Sequence, residues 1–264
     1  MNRKIALLVL STSKGRDEWK TMTDTYLYNF TVKTFLLTYN QKSEALANQN
    51  YIPPKNEYVV YIGVDRGDRI FDNPAQQEIV KRLSRVFTNV EFRFQVTDAA
   101  KGHVTVMWNQ IFQTAYDEGC DYFYQCGDDI NFRTQGWIHD SINVLESHGG
   151  IGLTGPVNNN QRILTQAFVS RKHMEIFGWF FPEEIKNWCC DDWYNWVYQP
   201  DHFYPLSNHF CSNDGGTPRY EINNDPHFTF NNHVFRNNLE RLRSETMTLA
   251  NQHKEKIMEY ISMK

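Results

Sequence analysis

Residues 5–10, Ile-Ala-Leu-Leu-Val-Leu, form an unbroken apolar run closed by the polar stretch Ser11-Thr12-Ser13-Lys14-Gly15-Arg16. Six residues without polar alternation suit a strand covered on both faces, the habit of parallel sheets flanked by helices. The run Glu57 to Val64 repeats the pattern and ends at Asp65-Arg66-Gly67-Asp68. Val90 to Val96 alternates with period two, as expected of a strand nearer a sheet edge. Tyr122 to Gln125 reads as a short strand entering Cys126-Gly127-Asp128-Asp129-Ile130-Asn131-Phe132. Helical spacing falls between these strands, over residues 17–37, 76–86 and 103–117. Residues 40–56 read as a loop ending in Pro53-Pro54. Strands alternating with helices predict an α/β fold with a doubly wound, mostly parallel, Rossmann-like sheet.

The second half changes character. Gly149 to Pro156 reads as a glycine-rich strand and turn, residues 167–170 as a strand, and residues 171–176 as a helix. Residues 177–213 are crowded with aromatics, and residues 232–263 predict a long C-terminal helical extension.

At 264 residues, 41% hydrophobic and 15% aromatic, the chain can bury a core, which excludes intrinsic disorder. A net charge of −4 counts against a nucleic-acid partner. No apolar run approaches the roughly 18 residues of a membrane span, and residues 5–10 are too short for a signal peptide. The five cysteines are an odd number without a CxxC pair. They read as reduced thiols, and a cytoplasmic location is expected.

Open α/β sheets bind ligands beyond the carboxyl ends of their strands. Three predicted strands end in polar loops, at residues 11–16, 65–68 and 127–131, which should gather on one edge. Asp128-Asp129 is the sharpest feature. Adjacent carboxylates after a buried strand call for a cation, and Mn²⁺ or Mg²⁺ would also bind a substrate phosphate. The alternative is an acidic turn capping the next segment. Asp191-Asp192 lies among Trp188, Trp193, Tyr194 and Trp196. A carboxylate against aromatic walls can serve as a general base, and aromatic faces can seat sugar rings. The alternative is that one of the pair caps a helix over residues 193–198.

Thr12, Ser13 and Arg16 could hold a nucleotide, although neither a dinucleotide fingerprint nor a Walker loop is present. Asp65 could accept from a base or ribose, or could be a turn residue. Lys101 could approach a diphosphate at the following helix N-terminus, or sit in a solvated loop. His227, two residues from Asp225, could complete a metal site, as imidazole also ligates Mn²⁺.

Together these pieces resemble a nucleotide-sugar glycosyltransferase of the GT-A fold, over roughly residues 4–200. Lys101-Gly102 followed by Asn109 is similar to the stretch before that family's metal motif. The segment from Tyr122 to Ile130 resembles its strand and DxD motif, with Gly127 standing where the first acid is usual. That departure leaves Asp128 to take the first acid's contact, or metal dependence to weaken. The segment from Ala167 to Glu183 resembles the acceptor-side segment. Cys190-Asp191-Asp192-Trp193 falls where inverting members carry an acidic pair whose second residue is the base.

The resemblance implies a catalytic domain over residues 1–231, divided into a nucleotide-binding half (1–132) and an acceptor half (133–231), with a terminal helix over 232–264. It implies transfer from a nucleoside-diphosphate sugar, UDP-linked by preference, to a glycan or other hydroxyl acceptor, with inversion. Asp192 would be the base and Asp191 its partner. Asp129, Asp128 and His227 would hold Mn²⁺ or Mg²⁺. Thr12, Ser13, Arg16, Asp65, Lys101, Asn109 and Asp128 would bind the donor, and Trp188 and Trp193 the acceptor. A homodimer is a further expectation. The competing readings are a nucleotidyltransferase that makes a nucleotide sugar, and a non-catalytic carbohydrate-binding protein.

Overall fold

The computed structural model describes residues 2–39, 56–100, 102–216, 219 and 233–263. The fold is α/β and Rossmann-like, built on one eight-stranded sheet of order β3-β2-β1-β4-β7-β6-β8-β5. Strand β1 (Lys4–Ser11) runs parallel to β2 (Glu57–Asp65) on one side and to β4 (Tyr122–Gly127) on the other. Strand β3 (Val90–Thr97) lies on the edge beyond β2, as its alternation predicts.

The unbroken apolar run of β1 is explained by two cores. Ile5, Leu7 and Val9 pack on one sheet face with Trp19, Met22 and Phe35. Ala6, Leu8 and Leu10 pack on the other with Met107, Ile111 and Phe112. A strand covered on both faces has no side left to be polar. In register, Ser11 faces Val64, and Leu10 faces Gly127. The three parallel strands therefore end together and deliver their polar loops to one edge.

The single helix expected over residues 17–37 is replaced by three pieces. A 3₁₀ turn (Met22–Asp24) leads to a π-helical turn (Leu27–Val32) and then to α1 (Lys33–Thr38). Threonine hydroxyls supply the reason, because they compete for backbone partners. Thr25 Oγ1 bonds the Met22 carbonyl at 2.7 Å. Thr31 Oγ1 accepts from the Ile130 amide at 3.0 Å, and Thr34 Oγ1 from the Phe132 amide at 3.0 Å. The π turn thus clamps the loop that carries Asp128-Asp129, the kind of place where such turns recur.

The remaining α-helices among the described residues are α2 (Pro74–Lys81), which runs on into a 3₁₀ turn (Arg82–Arg85), α3 (Val104–Asp117), α4 (Trp137–Ser147), α5 (Lys172–Phe177), α6 (Cys190–Tyr198) and α7 (His233–Ser262). Helix α7 is the expected terminal extension, and it packs on α6, where Trp193 Nε1 bonds His253 Nδ1 at 3.2 Å. No helix among the described residues is long and apolar enough to cross a membrane. All five cysteines are free.

The other half of the sheet is mixed. Strand β7 (Ala167–Ser170) is antiparallel to β4 and to β6 (Leu153–Val157). Strand β8 (Phe203–Asn213) runs parallel to β6, and its far end pairs antiparallel with β5 (Ile130–Phe132). Strands β5 and β8 and helix α4 are not among the elements expected from the sequence. Strand β8 contains Pro205 and buries few of its residues, so it has no apolar rhythm to detect. Its course matters to the site, because it carries residues 213–216 to the acid-bearing loop.

Asp68 ties the two polar loops together. Its Oδ2 accepts from the Ser13 amide at 2.7 Å, from Ser13 Oγ at 3.1 Å and from Thr12 Oγ1 at 3.2 Å. Its Oδ1 accepts from the Ile70 and Phe71 amides at 3.0 and 2.9 Å. Bonds to a charged acceptor contribute about 1.5–3 kcal/mol each and are not additive. Asp68→Ala is expected to lower unfolding stability in urea by about 2–4 kcal/mol. A loss below about 0.5 kcal/mol would deny this residue its bridging role.

Candidate functional site

A cleft of about 530 Å³ opens at the carboxyl edge of the sheet. Both acidic pairs line it: Asp128 and Asp129 from the loop after β4, and Asp191 and Asp192 from the first turn of α6. Trp188 lines it as well, and also borders a second groove of about 360 Å³ against α7.

Asp128 is 1% exposed and is gripped by Arg219. Arg219 Nη1 donates to Asp128 Oδ2 at 2.8 Å, Nη2 donates to Oδ1, and Nη1 also reaches the Thr12 carbonyl at 3.1 Å. The guanidinium lies 5.4 Å from the ring centres of both Trp19 and Tyr26. Arg16 lies over the same two rings, at 6.0 and 5.5 Å. Two guanidinium groups are thus gathered beside the acidic loop, and Arg219 links that loop to the one after β1.

Asp129 occupies a glycine cradle. A Cβ on Gly127 would come within 2.5 Å of Asp129 Oδ1, and a Cβ on Gly215 would overlap its carboxylate outright. The Asp214 amide caps this loop by donating to the Asp129 carbonyl at 3.0 Å. Burial, and secondarily the charge of Asp128, push the Asp129 carboxyl up to about 6. A buried carboxylate beside a second one favours a cation.

Among the described residues no group of three His, Cys, Asp or Glu side chains could hold a metal. Magnesium-type ions are commonly held by one or two carboxylates together with substrate phosphates. Asp129 in its cradle fits that habit, whereas Asp128 is already committed to Arg219. His227 and Lys101 lie outside the described residues.

In the second pair, Asp192 is 6% exposed, and its amide donates to Asp191 Oδ1 at 3.0 Å. Burial, then the charge of Asp192, push the Asp191 carboxyl up to about 6. The helix-cap alternative is corrected in part. The cap position is Cys189, held at φ +68°, so the pair sits inside the first turn, where the helix dipole favours negative charge. Arg243 of α7 lines the cleft, and its charge opposes the upward shift of Asp191.

Two sequence-based assignments fail. Trp193 is fully buried against Phe177, Trp179 and His253 and does not line the cleft, so it cannot be an acceptor platform. Asn109 spends its side chain on the turn after α5. Its Oδ1 accepts from the Phe180 and Phe181 amides at 3.0 and 2.8 Å, and its Nδ2 donates to the Phe181 carbonyl at 2.8 Å. It is a tether for the aromatic turn, outside the lining of the cleft.

Thr12, Ser13 and Arg16 lie on the loop after β1 and Asp65 closes β2; none of the four lines the cleft, and the Thr12 carbonyl is linked to it through Arg219. Burial raises the Asp65 carboxyl. Arg219 escapes sequence reasoning. It lies beyond the stretch with recognisable motifs, and only Gly215-Gly216 just before it hints at a close backbone approach.

Solved structures share this architecture. S. aureus TarS aligns over 95% of this chain and 42% of its own, with 11% identity and a TM-score of 0.51. Its residues 1–349 in complex with UDP-GlcNAc align over 95% of this chain and 70% of theirs, with the same identity and score. The fold is GT-A-like. The chain spans less than half the length of the larger TarS chain. No protein-family model and no curated protein matches the sequence.

The raised carboxyls set a pH test. A carboxyl whose folded value lies above its unfolded value of about 3.9 binds its proton more tightly in the folded state. Its contribution to stability is full below that value and is lost as pH rises through about 6. Asp129→Asn and Asp191→Asn are therefore expected to raise Tm at pH 7.5 by about 2–6 °C, with the gain gone near pH 4. A lower Tm for both variants at pH 7.5 would contradict the assigned burial cost.

Proposed function

We propose that this protein is a glycosyltransferase that moves a sugar from a nucleoside-diphosphate sugar, UDP-linked by preference, to an acceptor hydroxyl. One observation carries the reading: both acidic pairs line a single cleft, and Arg219 joins that cleft to the loop after β1. TarS, which shares the fold, has been solved with UDP-GlcNAc, and this supports a nucleotide sugar as the donor.

In this scheme the nucleoside lies over the loops of residues 11–16 and 65–68. Its diphosphate lies at Arg219, the guanidinium that joins the acidic loop to the loop after β1. Guanidinium forks suit phosphate oxygens. Asp129 would hold Mn²⁺ or Mg²⁺, whose charge would offset that of the departing diphosphate. The sugar and acceptor share the cleft, with Trp188 offering an apolar face to the acceptor ring.

Asp192 takes the proton of the acceptor hydroxyl as its oxygen attacks the anomeric carbon. The carbon–diphosphate bond breaks on the opposite side, which inverts the configuration. Asp191 lies beside Asp192 at the positive end of α6. Protonation of Asp191 near pH 6 would change the charge facing the base, and activity is expected to fall as pH drops through that value.

The test is turnover of a panel of UDP-hexoses with hydroxyl acceptors, read as released UDP, alongside UDP titration. Asp192→Asn is expected to lose about 100-fold or more in turnover while UDP affinity stays within about threefold. Near-normal turnover in that variant removes Asp192 as the base. Chelator is expected to weaken UDP binding by about tenfold. Unchanged binding removes the ion from the scheme.

A further inference from the structure

We propose that Gln125, Tyr194, Asn158 and Trp108 form the subsite that reads the transferred sugar, an inference that rests on the nucleotide-sugar reading above. The four come from separate elements. Gln125 is on β4, three residues before Asp128. Tyr194 is on α6, two residues after Asp192. Asn158 directly follows β6, and Trp108 is in α3.

All four line the acidic cleft. Each brings a buried polar atom without a hydrogen-bond partner among the described residues: Gln125 Oε1, Tyr194 Oη, Asn158 Nδ2 and Trp108 Nε1. Gln125, Tyr194 and Asn158 are 3%, 1% and 7% exposed. Buried polar atoms are nearly always paired, and leaving them unpaired destabilises the fold. Several such atoms on residues that line one cleft point to a ligand as the missing partner.

Their chemistry selects the ligand. The indole N–H and the amide NH₂ can only donate, the amide oxygen can only accept, and the phenol can do both. A partner for the whole set must both donate and accept. A phosphate at neutral pH is chiefly an acceptor and would face the Gln125 oxygen without a proton to offer. A pyranose ring carries hydroxyls that do both, and Leu10 and Val104 in the same lining supply an apolar surface for its C–H face.

The position favours the donor's sugar over the acceptor. Gln125 shares a strand with the acidic loop that Arg219 grips, so the subsite adjoins the end of the cleft where the diphosphate lies.

The experiment is calorimetric titration of the full chain with UDP and with UDP-glucose, UDP-galactose and their 2-acetamido counterparts. The wild type is expected to bind at least one UDP-hexose more tightly than UDP. Tyr194→Phe and Gln125→Met are expected to weaken that UDP-hexose about 5–20-fold and to leave UDP within about twofold. Their Tm should be equal or higher, because an unpaired buried atom has been removed.

Equal losses for UDP and the UDP-hexose, or no loss for either, would overturn the assignment. A lower Tm in both variants without a selective loss for the UDP-hexose would make these groups structural and overturn it too. A wild type that binds UDP but prefers no UDP-hexose would overturn the subsite alone. A wild type that binds neither would remove the nucleotide-sugar reading with it.

Discussion

Carboxylates crowded at the end of a buried parallel sheet are the constraint around which this molecule is arranged. Asp128 and Asp129 follow β4 directly, and Asp191 and Asp192 face the same cleft from α6. Taking such groups out of water is costly unless they are paired. The fold answers unevenly. Asp128 receives a forked guanidinium, while Asp129 and Asp191 are left with carboxyls pushed up to about 6. Perturbed carboxyls gathered on one cleft mark it as the candidate functional site.

Much of the scaffold is organised to hold that edge in place. Thr31 and Thr34 bond the Ile130 and Phe132 amides of β5, just beyond the acidic loop, and Asp68 fastens the loops after β1 and β2 to each other. Gly127 and Gly215 leave room for the Asp129 carboxylate where any side chain would collide with it. The irregular stretch around Met22–Thr38 is better understood as part of this clamp than as a failed helix, because its threonines give hydroxyls to the acidic loop instead of completing an unbroken helical ladder.

The parallel half of the fold was legible in the sequence because burial on two faces leaves an unmistakable apolar run, as in Ile5 to Leu10. The acidic pairs were legible because paired carboxylates beside apolar runs are chemically conspicuous. Strand β8 was not, since Pro205 and its polar residues carry no period-two signal. Trp193 misled because tryptophan in an acidic, aromatic stretch looks the same whether it faces a ligand or a neighbouring helix, and here it faces His253 of α7. Asn109 misled for a related reason: a single amide can bind a ligand or tether a turn, and only the three-dimensional path of residues 180–181 decides. Arg219 was invisible because its partner is 91 residues away in the chain.

The proposed donor site has its anionic centre at Arg219, between the loop after β1 and the acidic loop after β4. A crystal structure of the full chain soaked with UDP and Mn²⁺ tests this most directly. Diphosphate density is expected within hydrogen-bond reach of Arg219, with an ion on Asp129 and the uracil over residues 11–16 and 65–68. Density for the nucleotide elsewhere on the molecule, with Arg219 and Asp129 untouched, would contradict it.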